Sequence, residues 1–219
     1  SYTPILGVVI GLNGCVSGSL GMQTTLNLTG ALGGTSEFPS AFATMNLTPT
    51  GRPFVEAGLP VFIDKPLALT VADLRTFSAW EKAGARILSS SGLRYAPEIA
   101  PYLAGKDTHA LGALRWISGL SCKTWERYGI HLLEPIAQIL GPGFISVRLE
   151  TASDIEIAHL THRSGVQVSI PVIHDGGATF GTIHLCGTDG QTTLRLTDTY
   201  AAFRGQLVSF VDFVREGSP

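Results

Sequence analysis

The spacing of hydrophobic residues changes from a helical to an alternating pattern in the second half of the chain. Residues 61–89 contain a short apolar strand, a helix with apolar residues at helical spacing, and a second strand, all within about 30 residues. Thr70, with Asp73 three residues later, predicts a capping box at the helix start, and Gly84 is its predicted end. These elements predict a βαβ unit whose two strands are parallel neighbours.

Four further elements precede the change of period. An apolar strand is predicted at residues 5–12, followed by a Gly-rich turn, and a short helix is predicted at residues 97–103. Residues 109–119 have the pattern of a strand. The segment "GIHLLEPIAQILG" predicts a helix with a broad apolar stripe, which Gly141 and Pro142 end.

Alternation then dominates in five runs, "FISVRLETA", "IEIAHLT", "VQVSIPVI", "ATFGTIHLCG" and "QTTLRLT". Turn-forming residues separate these runs, so they are expected to form an antiparallel meander. "YAAFRGQLVSFVDFVREG" predicts a final amphipathic helix. The expected architecture is a βαβ fragment followed by a predominantly antiparallel sheet backed by helices.

Composition narrows the classes of partner. The chain has 219 residues, 44% of them hydrophobic and only 15% charged, with a formal net charge of -2. Such a chain can bury a real core, but it has no basic field that would attract nucleic acid or an anionic membrane. No apolar stretch is as long as a membrane-spanning helix requires. The stretch ending at Cys15 only faintly resembles a lipoprotein cleavage site.

The cysteines indicate a reducing compartment. Cys15, Cys122 and Cys186 are odd in number, far apart and in no CxxC pair. They predict neither a disulfide framework nor a structural zinc site, and a cytoplasmic location is expected.

Lys65, in the segment "GLPVFIDKPLAL", is the first candidate for chemistry. It is predicted to follow a buried strand, at the sheet edge where open α/β sheets bind ligands. Pro66 disfavours helical geometry at Lys65, and alternation sends Asp64 to the opposite side. Lys65 is therefore either a solvated strand end or a cleft residue that orients a hydroxyl or exchanges a proton.

His131, at the start of the helix in "YGIHLLE", is the second candidate. The positive end of a helix dipole disfavours imidazolium, so a neutral ring able to accept a proton is expected there. A structural histidine is the alternative. Glu134 lies one turn later on the same face and is a candidate to orient the ring.

Other polar residues are weaker candidates. Arg94 and Tyr95 follow the second strand of the βαβ unit, where they either face the same cleft as Lys65 or pack at a helix entry. His159 and His162 should face opposite sides of a strand, and His184 with Cys186 supplies only two ligands, so no metal site is predicted.

The segment "EAGLPVFIDKPLALTVADLRTFSAWEKAGARI" resembles the part of the Gfo/Idh/MocA oxidoreductases that carries their E-K-P motif. "LRYAP", "YGIHLLEPIAQILG", a large sheet and "FVDFVREGSP" follow in the order found in that family. The resemblance runs from about Phe54 to Pro219.

The resemblance implies hydride transfer between NAD or NADP and a hydroxyl carbon of a sugar, inositol or similar polyol. It implies that Lys65 lies beside both nicotinamide and substrate, and that His131 is the acid/base group. Asp64, Lys65 and Pro66 would contact the cofactor, with Asp64 in place of the family's glutamate. Four residues would contact the substrate: Arg94, Tyr95, Glu126 and Arg127.

The chain departs from the family pattern at three points. Its glycines at 11, 14, 18 and 21 do not form the nucleotide fingerprint GxGxxG, and only 64 residues precede Lys65. Residues 1–51, whose only charged side chain is Glu37, do not match the family. Arg127 stands where many members have an aspartate, and members usually continue beyond the final helix. We therefore expect the nucleotide-binding half to be atypical or truncated.

The expected fold is α/β plus α+β. Residues 1–96 would form a partial Rossmann-like dinucleotide-binding half, and residues 97–219 an open, predominantly antiparallel sheet backed by helices for substrate binding and oligomerisation. The open sheet face predicts a homodimer or homotetramer. The alternative function is a catalytically inactive family member that acts as a sheet-mediated assembly or sugar-binding module.

Overall fold

Two separate sheets organise the part of the chain that the structure describes. The computed structural model describes residues 8–10, 47–68, 70–104, 110–177 and 181–216. Three strands form a parallel sheet and six strands form a mixed, mostly antiparallel sheet. The expected combination of α/β and α+β parts is confirmed.

The parallel sheet has the order β1 (Val8–Ile10), β2 (Val61–Asp64) and β3 (Ile87–Ser90). Helix α1 (Leu47–Glu56) precedes β2, and helix α2 (Val71–Lys82) connects β2 to β3. Strand β2 is buried because its apolar side chains pack against Phe77 of α2. The predicted βαβ unit with parallel neighbours is confirmed. Of the strand predicted at 5–12, residues 8–10 form β1 and the rest lie outside the described residues.

Helix α2 begins as its sequence predicts. The Thr70 hydroxyl oxygen accepts the Asp73 N–H at 3.1 Å, and the hydroxyl donates to the Asp73 carboxylate at 2.7 Å. The helix ends at Lys82, followed by Gly84 in the left-handed region at φ 94°. Capping at both ends therefore fixes the length of the crossover that sets β3 beside β2.

We expect Thr70→Ala to lower the free energy of unfolding by about 1 kcal/mol, because the first-turn N–H groups lose their side-chain acceptor. Thr76→Ala is the matched control: its hydroxyl donates to the Ala72 carbonyl within the same helix, at 3.1 Å, and does not cap it. Urea denaturation of both variants measures the difference. Equal losses for the two variants would contradict the capping role.

The larger sheet has the strand order β5-β6-β7-β4-β8-β9. Its strands are β4 (Leu114–Cys122), β5 (Phe144–Ala152), β6 (Ile155–His162), β7 (Gln167–Ile173), β8 (Thr182–Gly187) and β9 (Gln191–Arg195).

The predicted five-run meander is wrong at one point. Strands β5, β6 and β7 form a meander and β8 pairs with β9, but β4 lies between β7 and β8, parallel to β7 and antiparallel to β8. Tight turns determine only which consecutive strands pair. The side of β4 that faces the helices is apolar, and Ile117 on that side is fully buried, so β4 takes a central place in the sheet. The strand also begins later than its predicted start at residue 109.

Helices cover one face of this sheet. The helical elements beside this sheet are a 3₁₀ segment (Pro97–Tyr102), helix α3 (Ile130–Leu140) and helix α4 (Thr199–Glu216). The buried side chains of α3 pack with those of β4, β6, β7 and β8 in one core. Gly119 allows α3 to lie close to the sheet, since a Cβ at this position would lie 2.8 Å from Leu132 Cδ1.

Helix α4 also contacts the parallel sheet. The Phe210 and Phe62 ring centroids lie 5.7 Å apart, and Arg86 donates to the Val214 carbonyl at 3.1 Å. Gln206 Nε2 donates to the Ser90 carbonyl at 2.6 Å, directly before the turn that follows β3. These contacts hold the carboxyl end of β3 against α4. No helix in the described ranges combines the length and the apolar character that crossing a membrane requires.

Candidate active site

Strand β2 delivers Lys65 to the carboxyl edge of the parallel sheet. Asp64 is the last residue of the strand, and a cis peptide bond joins Lys65 to Pro66. The Lys65 side chain is partly buried, and its Nζ lies 5.5 Å from the centroid of the Tyr128 ring. At this distance an ammonium is attracted to the face of an aromatic ring. The lysine therefore points toward the segment that leads into α3.

Strand β3 ends beside it in two buried serines. Ser91 is fully buried, and its hydroxyl oxygen accepts the Leu93 N–H at 3.2 Å, which caps the short 3₁₀ turn Gly92–Tyr95. This turn packs against α4: a Cβ on Gly92 would lie 2.7 Å from the Phe203 ring. The capped turn holds Ser91 at the same edge as Lys65, because β2 and β3 are adjacent parallel strands.

His131 reaches this edge from the first turn of α3. A π-helical turn, Trp125–Gly129, leads directly into the helix, and the Tyr128 and His131 ring centroids lie 5.7 Å apart. The imidazole is 4% exposed, and its Nδ1 lies 2.7 Å from the Ser91 hydroxyl oxygen. Residues from three separate elements thus converge on one buried ring.

Glu134, one turn along α3, completes the polar cluster. Its Oε2 accepts the Ser91 N–H at 3.0 Å, and Arg94 Nη1 lies 4.0 Å from the same oxygen. The carboxylate therefore holds the backbone of Ser91, whose side chain in turn contacts His131. Glu134 acts on the position of the ring through Ser91.

Burial shifts three pKa values within the cluster. Burial, with a smaller effect from the charge of Lys65, lowers the pKa of His131 to about 4. Burial raises the pKa of Glu134 to about 7, against the opposing effects of the Ser91 N–H and Arg94. Burial also raises the pKa of Asp64, opposed by Lys65. The neutral ring predicted for His131 agrees with this direction, but the main cause is burial and not the helix dipole.

The pKa of Glu134 predicts a pH-dependent stability. A carboxyl whose pKa rises from 4.5 to about 7 on folding contributes stability below pH 4.5 that is lost as the pH rises through 7. We expect the melting temperature of the wild type, relative to Glu134→Gln, to fall over this window and level off above it. Glutamine keeps an oxygen that accepts the Ser91 N–H and removes the titration.

Differential scanning calorimetry from pH 4 to pH 8 measures this difference. Glu81→Gln is the control, since Glu81 is an exposed residue of α2. A constant melting-temperature difference between the wild type and Glu134→Gln over the whole range would contradict the assignment.

The remaining predicted site residues have different positions. Arg94 is near Glu134 and thus in the cluster, whereas the Tyr95 hydroxyl lies 3.5 Å from Ser90 Oγ and its Cβ packs against Gly205 of α4. Glu126 and Arg127 belong to the π-helical turn, and their side chains fall outside the described part of the structure. Their predicted contacts with substrate stay predictions.

Sequence reasoning missed Ser91 and Tyr128. A serine in the run "SSSG" gives no specific signal, because serine is equally typical of a helix cap, a solvated loop and an active site. Tyr128, three residues before His131, could have been found from helical spacing if the helix had been extended toward its N-terminus.

Three other histidines, at positions 159, 162 and 184, lie in strands of the larger sheet. His159 Nδ1 is 3.3 Å from Ser169 Oγ, while the buried His162 packs against Phe144, so the two face opposite sides as predicted. His184, on β8, contacts Thr193 and Gln191 of the neighbouring strand β9. Within the described ranges, no three His, Cys, Asp or Glu residues are grouped as metal ligands would be.

Several solved structures share this fold. GenD2 from gentamicin A biosynthesis, in complex with NAD, is 20% identical with a TM-score of 0.65, over 78% of this chain and 66% of that one. The myo-inositol dehydrogenase from Corynebacterium glutamicum ATCC 13032 is 17% identical with a TM-score of 0.65, over 81% and 69%.

An oxidoreductase from Agrobacterium radiobacter, in complex with NAD+, L-tartaric acid and magnesium, is 14% identical with a TM-score of 0.66, over 81% and 69%. At these identities the likeness establishes the fold, and the chain matches about two thirds of the length of each neighbour. No protein-family model and no curated protein matches the sequence.

Proposed function

We propose that the chain is an oxidoreductase that transfers a hydride between NAD or NADP and a hydroxyl carbon of a sugar, inositol or similar polyol. The observation that carries the proposal is the convergence of Lys65, Ser91 and His131 at the carboxyl edge of a parallel sheet. This edge is where open α/β sheets bind ligands. GenD2 and the Agrobacterium radiobacter oxidoreductase, which have the same fold, are solved with NAD, and the Corynebacterium glutamicum neighbour is a myo-inositol dehydrogenase.

The residues at this edge fit a nicotinamide cofactor. Asp64, Lys65 and Pro66 lie at the same edge of the sheet as the turn after β3, which supports the proposal that they contact a nicotinamide ring bound there. Such a cofactor would supply the hydride acceptor. Lys65 provides positive charge beside the neutral, buried His131. Alcohol oxidation needs a group that takes the hydroxyl proton as the hydride departs, and Lys65 and His131 are the candidates for that group.

The substrate side of the site is proposed from the same cluster. Arg94 and Glu134 offer a donor and an acceptor near His131, which suits a molecule with several hydroxyl groups. In this division, the half before residue 97 binds the cofactor and the larger sheet with its helices completes the substrate site.

A thermal-shift titration tests cofactor binding. NAD+, NADH, NADP+ and NADPH are each added to the purified chain. Binding stabilises by RT ln(1 + [L]/Kd), about 2.7 kcal/mol at a hundredfold excess over Kd, so the melting temperature should rise with concentration for at least one of them. No shift with any of the four at millimolar concentration would overturn the proposal and favour the sheet-mediated assembly or sugar-binding module.

We further propose that the open face of the larger sheet pairs with a second copy, as a homodimer or homotetramer. Three large apolar side chains are exposed on this face: Trp116 (39%) and Leu120 (43%) of β4, and Ile155 (37%) of β6. An exposed apolar patch of this kind marks an interaction surface. We expect Leu120→Glu to shift the chain to monomer in light scattering after gel filtration. A monomeric wild type would contradict this.

A further inference from the structure

The hydroxyl of Ser91 has two polar neighbours among the residues that the structure describes. Its oxygen accepts the Leu93 N–H at 3.2 Å and lies 2.7 Å from Nδ1 of His131. Both Ser91 and His131 are buried, at 0% and 4% exposure. The pair is therefore shielded from bulk water, and its hydrogen bond has to be satisfied from within the protein.

These two contacts favour a hydrogen bond in which the Ser91 hydroxyl donates to Nδ1 of His131. A serine hydroxyl has one hydrogen to donate and two lone pairs to accept, and a backbone N–H only donates. The Leu93 N–H thus occupies a lone pair, and the hydroxyl hydrogen has Nδ1 of His131 as its acceptor within hydrogen-bond distance. A ring nitrogen that accepts is bare, so the ring hydrogen of a neutral imidazole is then on Nε2.

The charge state of the ring agrees with this direction. Burial and the neighbouring Lys65 lower the pKa of His131 to about 4, so the ring carries a single hydrogen at neutral pH. An imidazolium would carry hydrogens on both nitrogens and could not accept from Ser91.

We propose that Ser91 is a positioning residue that holds His131 in the tautomer with its hydrogen on Nε2, so that His131 donates a hydrogen bond to the substrate oxygen while Lys65 exchanges the proton. The role toward the substrate rests on the proposed oxidoreductase function. The tautomer rests only on the contacts of Ser91.

The atoms balance in both directions. In oxidation, the Lys65 ammonium would first release a proton to solvent. The carbinol carbon would then give its hydrogen with both bonding electrons to a bound nicotinamide, and the hydroxyl proton would pass to the Lys65 amine. His131 donates from Nε2 to the same oxygen as it becomes a carbonyl. In reduction, the Lys65 ammonium returns the proton to the oxygen. A neutral imidazole can polarise a carbonyl in this way without becoming charged.

This division of roles differs from what the family resemblance implies for His131. A histidine that accepts the substrate proton at Nε2 needs that nitrogen bare and the ring hydrogen on Nδ1. In that tautomer, Nδ1–H and the Leu93 N–H would fill both lone pairs of the Ser91 oxygen, and the buried hydroxyl hydrogen would have no acceptor among the described residues.

Nitrogen NMR of the histidine rings tests the tautomer, because protonated and bare ring nitrogens resonate at well-separated shifts. The probe is the full chain labelled with ¹⁵N-histidine at pH 7, with His131 assigned by His131→Gln. We expect the wild type to show a bare Nδ1 and a protonated Nε2. In Ser91→Ala both resonances should move toward the average of two exchanging tautomers, and Ser91→Thr, which keeps the hydroxyl, should restore the wild-type pattern.

Ser164→Ala is the matched control, since the Ser164 hydroxyl oxygen lies 2.8 Å from Nδ1 of a different histidine, His162. It should leave the His131 resonances unchanged. A protonated Nδ1 in the wild type, or a pattern unaltered in Ser91→Ala, would overturn the proposal.

Kinetics test the role toward the substrate. We expect kcat/KM with NAD+ or NADP+ and a polyol to fall about tenfold or more in Ser91→Ala, with the pH at half-maximal rate little changed, because the group exchanging the proton is Lys65. An acid limb that moves with the pKa of His131 in this variant would show that His131 takes the proton. If no cofactor binds, the proposed function fails while the NMR result still decides the tautomer.

Discussion

Replacing Lys65 with methionine should lower kcat/KM about 10²- to 10⁴-fold in assays with NAD+ or NADP+ and a polyol, the range expected for a positioned proton-exchanging group. Methionine keeps most of the length of the side chain and removes the ammonium group, with its charge and its exchangeable proton. The Lys65 ammonium lies 5.5 Å from the Tyr128 ring and lowers the pKa of His131 through its charge. The variant therefore has a second readout that does not depend on turnover.

That second readout is the pKa of His131. Without the charge of Lys65 the pKa should rise above its wild-type value of about 4, yet stay below 6.5, because burial is the larger cause of the shift. NMR titration of the ring measures it. Lys82→Met, at the exposed end of α2, is the control and should change neither the rate nor the titration. A rate within about threefold of the wild type for Lys65→Met would remove Lys65 from the proposed chemistry.

Replacing Ile136 with alanine should lower the free energy of unfolding by about 2 to 5 kcal/mol, because the truncation leaves a cavity in a packed core. Ile136 is fully buried on α3, in the core that α3 shares with Ile117 of β4 and Ile183 of β8. The same helix carries His131 and Glu134, so the packing that stabilises the fold also fixes the site. Urea denaturation followed by circular dichroism measures the loss.

Ile145→Ala on β5 is the matched control, since Ile145 is 68% exposed, and it should cost less than about 1 kcal/mol. If Ile136→Ala does not fold, Ile136→Val removes one methylene and should cost about 0.5 to 1.5 kcal/mol. Equal losses at positions 136 and 145 would contradict the assigned core.

Local signals predicted those parts of the fold that local physics determines. The Thr70 cap, the parallel pairing of β2 and β3, and the end of α3 at Gly141 all follow from residues close together in the sequence. The place of β4 between β7 and β8 does not, since it depends on pairing between segments about 50 to 70 residues apart. Alternation identifies a strand but not its neighbours.

The candidate site shows the same division. Lys65 and His131 stand out in sequence because each is a titratable residue at the boundary of a predicted element. Ser91 does not, since its importance comes from a contact with a residue 40 positions away. Glu134 was predicted to orient the ring, and the structure places Ser91 between its carboxylate and His131. The three-dimensional structure shows these contacts, which the chemistry of the side chains alone does not predict.

The central claim is that the edge formed by Lys65, Ser91 and His131 directs hydride transfer from a carbinol carbon to a nicotinamide. The most direct test follows a deuterium label from that carbon. The purified chain is incubated with NAD+ or NADP+ and a panel of polyols, including myo-inositol, deuterated at their carbinol positions, and the reduced cofactor is examined by mass spectrometry. We predict deuterium in the reduced nicotinamide with the wild type and its loss with Lys65→Met. A cofactor that binds but acquires no deuterium from any polyol in the panel would contradict the claim.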